Sequence, residues 1–362
     1  MGGDAEYYRE QFAGILAARG GRRRRPGVKD VAAIADVGVG TASDALNGKG
    51  RMNPATRDRI RQVADAIGYY PSALARSLQS NKSGIIGLSI RPFGGAPLQY
   101  LEVSYYARFL NAATVAALEH GYALVVLPPS VPTLLRNIPI DGVIVTDPPP
   151  GDPLVTELKA RGLAHVTDLG EADDPKALCV GNDQAKAVIG VCDHFKRQGA
   201  TTVGLLVADA DEDYTVRSLA GFRQWAEANG QIPRIERTSI TDPVSMMAAA
   251  RRLLAAPGRP DAVYTTEAPA GSYLVKAVGE QNLRMPEDVL VAYCAEHAPD
   301  AGLSEVTRLS LNAERVAEEA VDLLTSVLSG SDPTPRHRIV DTELHVHASS
   351  LRNRNAEPRK AR

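Results

Sequence analysis

Residues 40–44 read Gly-Thr-Ala-Ser-Asp, small and polar side chains at the start of a short helical pattern. Such side chains let a helix sit deep in the major groove of DNA and meet base edges. Gly40, Thr41, Ala42, Ser43 and Asp44 are therefore candidate base readers. Around them stand Asn47, Lys49, Arg51, Asn53, Thr56, Arg57 and Tyr69, with Arg61 nearby, as candidate holders of phosphate oxygens. A carboxylate at Asp44 is unfavourable beside phosphates unless it accepts a hydrogen bond, and cytosine N4 is the donor that fits. The competing use is an ion pair with a neighbour such as Arg51. A second set lies farther along, each member after a strand-like run: Arg91, Phe93, Asp147, Asp183, Tyr214, Arg217, Glu267 and Glu296. Carboxylates and a guanidinium grip hydroxyls and polar heads, and ligands of parallel sheets bind at the carboxyl ends of the strands.

The first set needs a small helical scaffold. A helix over about 29–35, a turn at Asp36–Val39 and a helix over about 40–46 give a helix-turn-helix, with Ala42, Ala45 and Leu46 facing inward. Asn53 and Pro54 open a third helix as N-cap and first helical residue, and Gly68 ends it. Pro71 forces extended chain before it, Ser72 can cap a short helix over 73–78, and a polar linker follows to 83. From 84 onward strand and helix patterns alternate, with a last helix over 313–329 and a last strand over 338–347. That alternation predicts parallel sheets covered on both faces. The expected plan is α plus α/β: a flexible extension with a basic arm (1–26), a head (27–71), a hinge helix and linker (72–83), a two-lobed doubly wound body (84–348) and a frayed tail (349–362). Within the body, 84–181 and 313–331 form one lobe, 182–312 and 333–348 the other.

Charge is uneven along the chain. Residues 1–83 carry 14 Lys+Arg against 8 Asp+Glu, a net of +6, while the remainder nets -8. A basic head on an acidic body suits a head that meets a polyanion. Within the extension Glu6 to Arg19 could make a weak helix with Tyr8, Phe12, Ile15 and Leu16 on one face, and Arg22–Arg25 form the basic arm, which can track a DNA backbone or enter a minor groove; a solvated tail is the plainer reading. Cys179, Cys192 and Cys294 are scattered, which predicts reduced thiols and no zinc site. The sequence shows no apolar leader and no spanning run, so a cytoplasmic location is expected. Nucleotide-loop, HExxH and GxSxG motifs do not occur, which argues against an enzyme; no cofactor or metal is expected. His345 and His347 share a strand face, too few ligands for a closed zinc site.

Taken together, the runs KDVAAIADV, ALNGKGR, NPATRDRI, AIGYYPSALARSL and GIIGL follow one another as in a known family. The chain resembles the lactose/galactose-repressor family of bacterial transcriptional regulators over nearly all of 28–348, most specifically in the head. The resemblance implies a repressor, a homodimer or a tetramer, on a palindromic operator in double-stranded DNA, with a sugar-like or nucleoside-like effector between the lobes; the tail's single Leu351 favours the dimer. It implies a hinge helix that forms on DNA, with Ser72 at its start, Ala75 and Arg76 beside it, and Leu78 wedged into the minor groove. Departures from the family pattern are clear. Gly27 and Gly38 stand at helix starts that usually carry Ser or Thr, and Asp44 at a position that often holds Arg or His. In the body, Ser218, Thr266-Glu267 and Ala295-Glu296 replace the usual Arg, Asn-Asp and Asp. The ligand is then unusual, or regulation is independent of an effector. A two-lobed solute-binding protein would share the body but not the head.

Overall fold

The computed structural model describes residues 3–18, 24–70, 82–90, 104–127, 135, 137–168, 174–255, 257–297 and 301–352. The expected hinge residues Ser72, Ala75, Arg76 and Leu78, and the cleft candidates Arg91 and Phe93, lie outside them. The chain divides into two compact units, Met1–Ser83 and Gly84–Arg362.

Among the described residues the first unit holds the helices α1 (Gly3–Ala18), α2 (Val28–Ile34), α3 (Val39–Leu46) and α4 (Pro54–Ile67). Val31, Ala32, Ala35, Ala42, Ala45, Ile60, Val63, Ala64 and Ile67 meet in its core. Asn53 Oδ1 accepts the Ala55 N–H at 3.0 Å to start α4, and Gly68 at φ 70° ends it in the left-handed region that glycine tolerates. The flexible extension expected over 1–26 is corrected. Its first part is α1, whose Tyr8 and Phe12 pack on the head core and whose Arg9 Nε donates to Ala66 O at 3.1 Å. The basic arm is corrected in part as well. Arg24 donates through Nη1 and Nη2 to the two carboxylate oxygens of Asp30, each at 2.6 Å. Asp30 is only 2% exposed and also accepts the Gly27 N–H at 2.8 Å. A buried carboxylate demands such a partner, and Asp30 closes the start of α2 where Gly27 has no side chain to do so.

Two six-stranded sheets form the second unit. The first holds β1 (Ile85–Ile90), β2 (Ala123–Val126), β3 (Gly142–Thr146), β4 (Ala164–Thr167), β5 (Cys179–Gly181) and β11 (His337–Ile339), in the order β11-β5-β4-β3-β1-β2, all parallel. The second holds β6 (Val203–Ala208), β7 (Arg234–Thr238), β8 (Ala262–Thr265), β9 (Leu290–Cys294), β10 (Thr307–Ser310) and β12 (Glu343–His345), in the order β12-β10-β9-β8-β6-β7. Only β12 runs antiparallel to its neighbour among these pairs. Helices α5 (Ser104–Glu119), α6 (Pro153–Ala160) and α11 (Ala313–Leu328) belong with the first sheet. Helices α7 (Gln184–Arg197), α8 (Asp213–Ala228), α9 (Pro243–Ala255) and α10 (Ala268–Glu280) cover the second. Gly221 lets α8 lie on α7: a Cβ there would fall 2.5 Å from Ala185 O. Among the described residues no helix is long and apolar enough to cross a membrane.

Two boundary expectations change. The single strand expected over 338–347 is two strands, one in each sheet, so 337–339 belongs to the first lobe and not to the second. The fraying expected from 349 is not seen over the described residues 349–352. Ser349 and Ser350 are buried, Ser350 Oγ meets His194 Nε2 at 2.7 Å, and Ser349 Oγ donates to Val291 O at 2.7 Å. The chain therefore crosses between lobes three times: after β5, after β10 and after β11. Asn182 ties the crossings together, its Nδ2 donating to Leu311 O at 2.9 Å and to Val340 O at 2.8 Å.

Candidate functional site

Two surfaces gather the residues singled out by type. In the first unit, α3 starts at Gly38 (φ -66°, ψ 149°), which offers no side-chain cap. Gly40, Thr41 and Asp44 are exposed and Ser43 half-buried, so one face of α3 remains open. Ala42 is corrected as a base reader: it is fully buried in the head core. The ion pair weighed for Asp44 with Arg51 does not form among the described residues; the Asp44 side chain instead lies against Gly50. Lys49 and Arg51 are exposed beside this face and Thr56 is half-buried. Others in the phosphate set have structural duties. Asn47 Nδ2 donates to Ser43 O at 2.9 Å, and Asn53 caps α4. Arg57 Nη2 holds the loop by donating to Gly50 O at 2.9 Å and Lys49 O at 3.3 Å. Tyr69 packs against the head core, and burial pushes its phenol up.

In the second unit a cavity, partly open to solvent, lies between the lobes. Five expected residues line it: Asp147, Tyr214, Arg217, Glu267 and Glu296. Asp183 does not. It is exposed and caps α7, accepting the Lys186 N–H at 3.0 Å, while its neighbours Asn182 and Gln184 line the cavity. Sequence reasoning missed Tyr105, Tyr106, Asp168, Asp213 and Gln184. Asp168 ends β4 as Asp147 ends β3, so the rule that found Asp147 could have found it. The two tyrosines project from α5, where a rule about loops after strands has no reach.

The geometry separates holders from held. Glu296 is a brace: it accepts from Ser310 Oγ at 2.8 Å, Leu311 N at 2.9 Å and Ala313 N at 3.2 Å, and so closes the start of α11. Asp147 sits at φ 48°, an uncommon conformation for a side-chain-bearing residue. Its Oδ2 accepts from Tyr106 Oη at 2.6 Å, and its N–H donates to Asp168 Oδ2. Tyr214 Oη donates to Thr266 O at 2.8 Å, and Arg217 Nε to Asp213 Oδ2 at 2.6 Å. Glu267 is 7% exposed and accepts from Thr266 Oγ1 at 2.9 Å. Burial pushes its carboxyl up to about 7, against the Thr266 hydrogen bond, and Glu212 and Asp147 add to the rise. Burial likewise raises Asp147, more than the Tyr106 and Asp168 hydrogen bonds lower it. The phenols of Tyr105, Tyr106 and Tyr214 are pushed well up by burial and stay neutral. Burial also pushes the Cys294 thiol up to about 12, which makes it a poor nucleophile. Among the described residues no three His, Cys, Asp or Glu side chains come together to hold a metal ion.

Comparison with known proteins covers both units. Residues 27–72 match the family described as bacterial regulatory proteins, lacI family, and residues 192–350 match a periplasmic binding protein-like domain. The HTH-type transcriptional regulator CelR of Thermobifida fusca is 26% identical over 345 residues, 91% of this chain and 99% of CelR. The transcriptional repressor PurR of Mannheimia succiniciproducens is 24% identical over 336 residues, 89% of this chain and 98% of PurR. Among solved structures, a lac repressor dimer bound to operator and an anti-inducer shares the fold, with a TM-score of 0.76 at 18% identity over 91% of this chain and all of that one. A CelR–cellobiose complex does so with a TM-score of 0.64 at 24% identity over 90% of this chain and all of that one.

Proposed function

The chain joins a head of the lacI family of bacterial regulatory proteins to a periplasmic binding protein-like body, and we propose that it represses transcription as a homodimer on a palindromic operator. In this reading a small organic molecule in the interlobe cavity changes the affinity for DNA. DNA binding and transcriptional regulation belong to the family itself. The observation that carries the finer reading is α3, which buries Ala42 and Ala45 and leaves Gly40, Thr41 and Asp44 open. Thr41, Ser43 and Asp44 then meet base edges, Gly40 gives close approach, and Lys49 and Arg51 meet phosphates. Leu78 wedges into the minor groove between base steps. The two-fold symmetry of a dimer is what a palindromic site mirrors.

The effector part draws support from the cavity and from a relative whose structure holds cellobiose. A regulator without an effector would leave this lined cavity without a use. The test is selection of binding sites from random duplex DNA by the full chain, followed by anisotropy titration of the winner at several salt concentrations. A palindromic consensus bound by a dimer, with affinity falling steeply in salt, is expected. A non-palindromic site, or one copy bound per site, would refute the dimeric operator.

A further inference from the structure

The described lining of the interlobe cavity is acidic in a way that a neutral sugar does not use. Five carboxylates line it (Asp147, Asp168, Asp213, Glu267 and Glu296) against one cation among the described lining residues, Arg217. Arg217 is ion-paired with Asp213, and Glu296 is committed to the start of α11. Glu212 adds a further carboxylate nearby, with an Oε2 that is buried and accepts from no group.

A second feature points the same way. Gln184 is 3% exposed, lines the cavity, and has an Oε1 to which nothing donates. The amide orientation is fixed by its neighbours. Ser218 Oγ gives its proton to Tyr214 O at 2.7 Å, so it can only accept from the Gln184 amide, through Nε2 at 3.1 Å. Oε1 is therefore the atom left over, a buried acceptor that wants a donor. The walls that complete the cavity are aromatic and aliphatic side chains: Tyr105, Tyr106, Phe109 and Tyr214 with Ile144 and Val166. Aromatic faces attract cations once water is excluded.

We infer that the effector of this cavity carries a protonated amine, held among Asp147, Glu267 and Gln184 Oε1 with its carbon skeleton against the tyrosines. The inference rests on the reading of the cavity as an effector site. A metal ion does not fit, since no three ligating side chains converge among the described residues. A neutral ligand would strip water from the carboxylates and return no charge, whereas an ammonium offsets their mutual repulsion and donates several hydrogen bonds.

Two sources share this chemistry, amino sugars and aliphatic polyamines. Thermal melting of the full chain with matched pairs tests the inference: glucosamine against glucose, and putrescine against 1,4-butanediol. The expected result is a rise in Tm with at least one amine and none with its neutral partner. Binding of that amine should weaken by roughly tenfold or more in Glu267→Gln and in Asp147→Asn, as for a buried ion pair losing one partner. A response in the first pair alone identifies an amino sugar, and in the second alone a polyamine. Neutral partners that stabilise as strongly as the amines, or no response to either amine, would overturn the inference. Operator titration separates it from the broader reading. If glucose binds and alters operator affinity while glucosamine does neither, the effector role stands and the ammonium falls. If an amine binds and operator affinity is unchanged, the ammonium site stands and the effector role falls.

Discussion

Single residues in both units hold unusual positions, and each has a measurable consequence. Glu267 faces Glu212 and Asp147, with Tyr106, Tyr214, Tyr264 and Cys294 as its neutral neighbours. Its carboxyl rises from 4.5 to about 7 on folding. The folded state therefore binds its proton more tightly than the unfolded chain, and the stability so gained is complete below about 4.5 and lost as pH rises through 7. Glu267→Gln should melt higher than the parent at about pH 8, by on the order of 2–3 kcal/mol at most, with the gap closing toward the unfolded value. A gap independent of pH would show that burial of Glu267 is not what lifts its carboxyl. In the head, Gly38 is the N-cap of α3, and a Cβ placed there would meet Thr41 Oγ1 at an ordinary 3.7 Å. Gly38→Ser should then raise head stability by about 0.5 kcal/mol in denaturant titration, since the hydroxyl satisfies a free N–H and the unfolded chain loses freedom. Asp44 stands open on the same helix with no ion pair to Arg51. Asp44→Asn should relax base choice at one operator position in a selected-site experiment; an unchanged preference would remove Asp44 as a reader.

At the scale of elements, α1 is the least expected part of the molecule. A charged terminus with a weak apolar face gives little reason to expect order. The face of Tyr8, Phe12, Ile15 and Leu16 is legible in the sequence, but its partner on the head is not, because nothing local says that the head core leaves room for a fourth helix. Phe12→Ala should lower head stability by about 1–2 kcal/mol, less than a fully buried aromatic because Phe12 is only half-buried. Removal of residues 1–18 should lower the melting temperature of the head, and an unchanged melt would mean that α1 adds no stability. The same limit of local information applies to two strands: β5 has only three residues, and β7 is an edge strand reading Arg-Ile-Glu-Arg-Thr without an apolar run. By contrast α4, with Asn53, Pro54 and Gly68 at its ends, was readable to the residue, because caps are local chemistry. Cleft residues in loops after strands were readable for the same reason. Gln184 was not: its meaning lies in Ser218, 34 positions away.

For the whole molecule the question is how a ligand between the lobes could bias the state of the DNA-binding head. Allostery requires an element with two arrangements that both ligands influence. Among the described residues three crossings link the lobes covalently, and Asn182 joins them by side-chain hydrogen bonds from the first to the second and third. Asn312 adds a further tie, donating from Nδ2 to Asp341 O at 2.7 Å. A hinge pinned in this way moves as one unit, so closure on a ligand is transmitted and not absorbed in independent strands. Asn182→Ala removes two donors from carbonyls that then need water, a loss of about 1–2 kcal/mol of body stability. Its larger effect should be on coupling. With the crossings unpinned, the lobes can close on ligand without a matching change elsewhere, and the ratio of operator affinities with and without saturating ligand should shrink toward one. Glu267→Gln is the control, since it weakens ligand binding but leaves the ratio intact once the site is saturated. Measured by anisotropy on the selected operator, an unchanged ratio in Asn182→Ala would show that coupling does not run through the pinned crossings. A shrunken ratio with ligand affinity retained would place the two-state element at the hinge.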